Sequence, residues 1–440
     1  MRCLLSGLSS TFRISDECLF LFIMIRGYKY RLKPNNEQAD KIKRTIGCAR
    51  LVYNLILENY KEQLNTYKET GEKIKINGYS EFKQDYTFLS EVDSLALANS
   101  YTNFKNAINN FFKSKKGERK GKKVSFPKKH KKSKSKLTYT TNNQNGTIDI
   151  KDGYIKLPKI GWVKLVYHRP YEGKIKSATI KQERDGTFYV SLKCEIEDKQ
   201  NIIPVKAIKK IAGLDMSFTK FVVDSDDSIP DDMKPKYIRH YRVNEKRIGK
   251  LQRRMSKKQL GSKNREKARI QLAKESKYVA NCREDFAHKA ALYYAENYDV
   301  IVIEDIDMQK MSRSNLKGYG KSVNDLGFGM FKKFLEYKLN DRGKQLVVAD
   351  KWFASSKICN HCGSKNKNLR LNDRIWVCPV CGCIIDRDKN AAYNLMDWYI
   401  KQYNTAGTAG INACGDKTAT SVETHSQALS MKQEAATYLD

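Results

Sequence analysis

The chain has 440 residues, with 83 Lys and Arg against 49 Asp and Glu, a formal net charge of +34. At 40% hydrophobic residues it can bury real cores, which excludes wholesale disorder. No run of 18 or more apolar residues occurs, which excludes a membrane-spanning helix. So large a positive surplus calls for a polyanion: nucleic acid first, an anionic membrane face second.

Residues 1–23 hold short apolar runs broken by Arg13, Asp16 and Glu17, with no small-residue cleavage site after them. They read as a dispensable N-terminal extension. Without an export signal, a reducing, cytoplasmic setting is expected, where clustered thiols bind metal and scattered ones are buried. Cys48, Cys194 and Cys282 read as buried; Cys3, Cys18 and Cys414 carry no readable role.

From Ile25 to Pro34 the residues Tyr28, Tyr30 and Leu32 alternate onto one face, which predicts a strand. Ile42, Ile46, Ala49, Tyr53, Ile56 and Tyr60 then recur at helical spacing, and helices are expected to about Phe112. Residues 113–136 form the densest basic run, opposed only by Glu118. It reads as a phosphate-binding arm, with Lys122, Lys123, Lys128 and Lys129 as candidate contacts. From Gly146 to about Glu197 short strands follow, with turns at Asp152-Gly153 and Asp185-Gly186. They predict a small β-barrel or sheet that the strand at 25–34 completes. Asn201 to Lys210 reads as a linker.

Ile211 to Asp224 predicts a hairpin, and 244–297 a basic helical hairpin broken at Gly261-Ser262-Lys263-Asn264. Val300 to Ile303 predicts a buried strand, Phe328 to Leu339 a helix and Leu346 to Ala349 another strand. That order indicates an α/β domain.

Two chemical constellations stand out. Cys359-x2-Cys362 and Cys378-x2-Cys381, 15 residues apart, suit one structural Zn²⁺ closed by four thiolates. Cys383 and His361 are spare donors expected outside that shell. The second set is acidic: Asp215 and Glu304 each end an apolar strand, and Asp386 and Asp388 open a helical stretch. Carboxylates gathered at strand ends can hold two Mg²⁺ about 4 Å apart, clamping the attacking and leaving oxygens of a phosphodiester. Asp388 is preferred as the third ligand and Asp386 as an N-cap.

Taken together, Ile211-Ala-Gly-Leu-Asp215, Ile301-Val-Ile-Glu-Asp305 and the stretch from Cys378 through Asp386-Arg-Asp-Lys-Asn-Ala-Ala-Tyr-Asn394 resemble the TnpB family. Ser355 to Gly363, Gly261 to Arg265 and Arg50-Leu-Val-Tyr-Asn54 are also similar to that family of insertion-sequence nucleases related to type V CRISPR effectors. The resemblance runs from about Met24 onward. It implies a multidomain α/β plus β-barrel protein. A β-barrel wedge domain (24–34 and 146–200) is split by a helical recognition domain with the basic arm (35–145). A RuvC-like RNase H fold (211–354 and 384–400) is interrupted by a zinc-ribbon-like domain (355–383), and a flexible tail follows (401–440). It further implies Mg²⁺-dependent cleavage of double-stranded DNA directed by a guide RNA from the transposon end, with Asp215, Glu304 and Asp388 catalytic and no membrane partner. Tyr53 and Asn54 would face the duplex beside the target. Two other readings stay open: a non-catalytic nucleic-acid-binding regulator of transposition, and a transposase that joins DNA ends.

Overall fold

A computed structural model describes residues 22–71, 74–76, 78–119, 121–133, 135–198, 208–307, 312–313, 319–370 and 373–414. The chain forms two compact units, Met1–Gln200 with Leu260–Ala273, and Asn201–Gln259 with Lys274–Asp440.

The first unit is built on a strand that buries alternate residues. In β1 (Phe22–Lys33) Tyr28, Tyr30 and Leu32 are buried, while Lys29, Arg31 and Lys33 are exposed. It lies between β5 (Gly161–Val166) and β7 (Phe188–Asp198), antiparallel to both. With β2 (Leu137–Asn142), β3 (Asp149–Lys151), β4 (Tyr154–Leu157) and β6 (Lys174–Gln182), the sheet order is β2-β6-β7-β1-β5-β4-β3. Of the two expected forms, barrel or sheet, the described residues form a seven-stranded sheet whose edge strands β2 and β3 do not pair with each other. Three residues of β3 offer too few backbone groups to close it. The sheet also begins earlier than the expected 146. Behind the Lys-rich run, Thr138-Tyr139-Thr140-Thr141 is a β-branched and aromatic stretch that pairs with β6.

Helix α1 (Asn36–Thr70) starts on a reciprocal cap, Asn35 Oδ1 accepting from Gln38 N–H at 2.8 Å and Gln38 Oε1 from Asn35 N–H at 3.1 Å. It ends at Gly71, whose φ of 73° a side chain would strain. Its apolar stripe serves two cores. Ile42, Ile46 and Ala49 pack on the sheet. Val52, Tyr53, Ile56 and Tyr60 pack with Leu97, Phe104 and Ile108 of α3 (Ser94–Lys115), which follows the single-turn α2 (Phe82–Asp85).

In the second unit, β8 (Ile211–Ser217), β9 (Phe221–Asp224), β10 (Val300–Ile303) and β11 (Gln345–Val348) form a sheet of order β11-β10-β8-β9. β10 is parallel to β8 and β11; β9 is antiparallel to β8. All four residues of β10 are buried, as a strand covered on both faces requires. Ile301 and Ile303 face a cluster with α5 (Lys263–Asn297) and α7 (Phe328–Asn340), which includes Tyr294, Phe331 and Leu335. Val300 and Val302 face Leu395 of α8 (Arg387–Cys414). Helices α4 (His240–Ser256) and α6 (Tyr319–Leu326) complete the unit's described helices.

Three expected boundaries move. The hairpin β12 (Ile375–Val377) and β13 (Ile384–Asp386) runs past the expected boundary at 383, because Asp386 pairs with Ile375. Helix α8 continues through Cys414, past the expected 400, since nothing in 401–414 is a proline and helix propagation is favourable once nucleated. β1 begins at Phe22, inside the expected extension. Most of the expected linker, residues 1–21 and residues 415–440 lie outside the described residues.

Gly213 fixes how closely α8 approaches β8. A Cβ there would sit 2.0 Å from the Ala392 carbonyl oxygen and 2.8 Å from Met396 N. Gly213→Ala must push the helix off the strand, an overpacking cost of about 1–3 kcal/mol or more. The expected result is a lowered melting temperature and a still larger loss of activity, because Asp388 rides on the first turn of α8. Melting curves and cleavage assays on the same preparation check it.

Candidate active site and metal centre

Parallel pairing sets two carboxylates side by side. Ile303 is in register with Leu214, so the next residues, Glu304 and Asp215, leave neighbouring strands at one level. The third arrives on α8: Asp388 Oδ2 accepts from the Ser217 hydroxyl at 2.9 Å. Ser217 lies two residues beyond Asp215 and hence on the same side of β8. Asp386 instead caps α8, its Oδ1 accepting from Lys389 N–H at 2.9 Å.

The site is electrostatically incomplete. Burial raises the Asp215 carboxyl well above the ordinary range, and the charges of Glu304 and Asp388 raise it further against the pull of Arg387. Burial also raises Glu304, against a hydrogen bond from the Ser355 hydroxyl and the charge of Arg387. Two buried carboxyls that resist ionisation, Asp215 and Glu304, beside the charge of Asp388 are what a cation would relieve. Among the described residues the tightest candidate ligand groups are sulfur-rich, not these carboxylates. Asp388 is turned toward Arg374, whose Nη1 lies 3.0 Å from Oδ1 and 3.1 Å from Oδ2. A hollow beside it is lined by Thr219, Lys220, Val223, Arg374, Asp386 and Asp388.

Residues 355–386 build a candidate metal centre. In the first knuckle Gly363 N–H bonds the Cys359 carbonyl at 2.8 Å; in the second, Gly382 N–H bonds the Cys378 carbonyl at 3.0 Å. Both glycines have φ of 75°. The Sγ atoms of Cys359, Cys362, Cys378 and Cys381 all lie within 4.8 Å of one another. Cys359 and Cys381 are 3.7 Å apart, Cys362 and Cys378 3.6 Å. A tetrahedral ion with ligand bonds of about 2.3 Å has edges of about 3.8 Å, so the four sulfurs fit zinc.

A ladder of amides ties this centre to α8. Asn390 and Asn394, one helical turn apart, donate to the Ile358 carbonyl at 2.7 and 2.6 Å, and Asn394 donates to the Ser355 carbonyl at 2.7 Å. Asn360 N–H returns a bond to Asn390 Oδ1 at 2.9 Å. The first two turns of one helix thus carry Asp388 and anchor the segment from Ser355 to Asn360. Sequence reading missed Arg374, Ser355 and this ladder. The one available signal was the four-residue spacing of Asn390 and Asn394, beside the fully buried Ala391 and Ala392.

In the first unit Asn54 is committed to the chain itself. Its Nδ2 donates to the His130 carbonyl at 3.1 Å, and its Oδ1 accepts from His130 N–H at 2.7 Å. The His130 ring lies flat on Tyr53, centroids 4.0 Å apart. Both residues expected at the duplex thus hold the basic arm on α1 in this structure. Lys129 pairs with Glu58; Lys122, Lys123 and Lys128 are exposed.

Three family descriptions match the chain: a "Helix-turn-helix domain" over residues 24–71, a "Probable transposase" over 191–315 and a "Cas12f1-like, TNB domain" over 328–395. The first stretch is here a strand and one long helix. A "Putative RNA-guided DNA endonuclease" of Streptomyces pristinaespiralis is 32% identical over 407 residues, covering 89% of this chain and 91% of the relative. The "Putative RNA-guided DNA endonuclease InsQ" of Escherichia coli K12 is 27% identical over 409 residues, covering 89% and 94%. A solved "Cas12f1-sgRNA-target DNA complex" aligns with a TM-score of 0.47 and 14% identity, over 82% of this chain and 83% of that one. With a relative this similar along nearly its whole length, the chain belongs to the TnpB family of insertion-sequence proteins.

Proposed function

We propose that the protein is an RNA-guided DNA endonuclease of an insertion sequence, with a RuvC-like site in which Asp215, Glu304 and Asp388 hold Mg²⁺ in a two-metal centre. The observation that carries this reading is the convergence of three acidic groups whose mutual charge and burial hold Asp215 far above its ordinary pKa. A protein that only binds nucleic acid gains nothing from carboxylates facing phosphate. When bound, the divalent ions supply charge neutralisation at the phosphate and a more acidic water.

The rest of the work falls to the chain. The sheet and α8 fix where the carboxylates stand. Ser355 orients Glu304 and Ser217 orients Asp388. Arg374 lines the hollow beside Asp388, where its guanidinium would be available to a substrate phosphate oxygen, and Lys220 borders the same hollow. The arm from 113 to 136 supplies sequence-independent backbone contacts, while pairing with the guide supplies specificity. Zinc in the four-cysteine centre is structural.

The deciding experiment co-expresses the protein with its native flanking DNA, sequences the RNA that copurifies, and offers DNA matching that RNA with Mg²⁺. Cleavage that is lost in Glu304→Ala, with RNA still bound, is expected. Joined products from element ends would favour a strand-transferring transposase; no cleavage under any condition would favour the binding regulator. Arg374→Ala is expected to lower the cleavage rate about 10²-fold with RNA binding unchanged. An unchanged rate would reduce Arg374 to a surface ion pair.

A further inference from the structure

One cysteine of the zinc centre belongs to two ligand groups. His361, Cys381 and Cys383 also have donor atoms that all lie within 4.8 Å of one another. The chain brings them together by its two knuckles. His361 lies between the first pair of cysteines, and the second turn doubles back so that Cys378 N–H bonds the Cys383 carbonyl at 2.9 Å. That reversal, through Gly382, sets the Cys383 thiol beside that of Cys381. Cys381 and Cys383 are half-buried and His361 is exposed, so this group opens toward solvent where the four-cysteine group is closed.

We propose that the ribbon carries a second, labile metal site, in which His361 and Cys383 bind one soft or borderline cation and Cys381 bridges it to the structural ion. This rests on the zinc reading of the four cysteines. Two sulfurs and an imidazole select Zn²⁺, Cd²⁺ or Cu⁺ and reject Mg²⁺. Four thiolates around one divalent ion leave 2 − 4 = −2 at the centre, which attracts a further cation. Three protein donors leave a fourth position for water or an incoming ligand, the arrangement of an exchangeable site rather than a structural one.

The test uses the full-length protein as purified with zinc. Metal per chain is measured, and Cd²⁺ is then titrated in while thiolate-to-metal charge-transfer absorption and zinc release are followed. One tightly held zinc that stays in place, plus one further equivalent of Cd²⁺ removable by a mild chelator, is expected. Cys383→Ser and His361→Ala should each weaken that second equivalent at least ~10-fold while keeping the resident zinc and the wild-type melting temperature. The proposal is overturned if no further equivalent binds, if Cd²⁺ enters only by displacing the zinc, or if both variants bind it as the wild type does. Protein purified with no zinc at all overturns the four-cysteine reading first and this one with it.

Discussion

Asp215→Asn should make the metal-free protein more stable and the nuclease inactive. Burial and the charges of Glu304 and Asp388 raise the Asp215 pKa in the folded chain above its unfolded value. Between those two values the folded state binds more protons than the unfolded one. Stability therefore falls as pH rises through that window. The amide carries no charge and keeps an oxygen for the Met216 N–H that bonds Asp215. A gain of ~2 °C or more in melting temperature at pH 7.5 in chelator is expected, shrinking toward zero as the pH is lowered. Mg²⁺ should stabilise the wild type more than the variant, because the variant lacks one of the three carboxylates that would hold the ion. If the variant melts below the wild type in chelator, or responds equally to Mg²⁺, the carboxylates are not the strained set described above.

The parts of this site that could be read from the chain are those written in contiguous residues. Val300 to Ile303 is an unbroken apolar run and ends on Glu304, so a strand end carrying a carboxylate is visible without any structure. Two CxxC pairs are visible because a knuckle is a local turn. What was hidden depends on residues far apart in sequence. Ser355 meets Glu304 across 51 positions and Ser217 meets Asp388 across 171. Arg374 looked like one more cation in a chain with 83 of them. Gly213 reads as an indifferent residue inside an apolar strand, and only the approach of α8 shows why nothing larger fits. In the first unit the charge of the arm masked β2, whose Thr and Tyr residues start directly after the lysines. The helical periodicity that marks Tyr53 as buried gives no hint that its neighbour Asn54 clasps a backbone 76 residues away. Register along one element is legible; which surfaces meet is decided by packing.

Cys378→Ser should remove activity without touching a carboxylate. The ribbon is a two-stranded hairpin whose own core is Leu369, Trp376 and Ile385 with the cysteines, too small to hold without a metal. Binding of zinc to such modules contributes about 10–16 kcal/mol in isolated peptides, so loss of one thiolate largely unfolds the module. The consequences reach the acidic site through two named contacts. The turn bearing Ser355 loses its support, and Glu304 loses the hydroxyl that orients it. Arg374, which precedes β12 directly, leaves Asp388. The amide ladder then fails from the other side, since Asn390 and Asn394 bond carbonyls of residues 355 and 358. A misplacement of an ångström in such a site costs about 10²-fold in rate, and at least that loss is expected here. Metal content should fall below one zinc per chain, and solubility should fall with it. RNA binding should persist, because the densest basic run lies in the first unit. A soluble variant that holds no zinc yet cleaves at the wild-type rate would separate the ribbon from the chemistry and leave Ser355 and Arg374 without a role there.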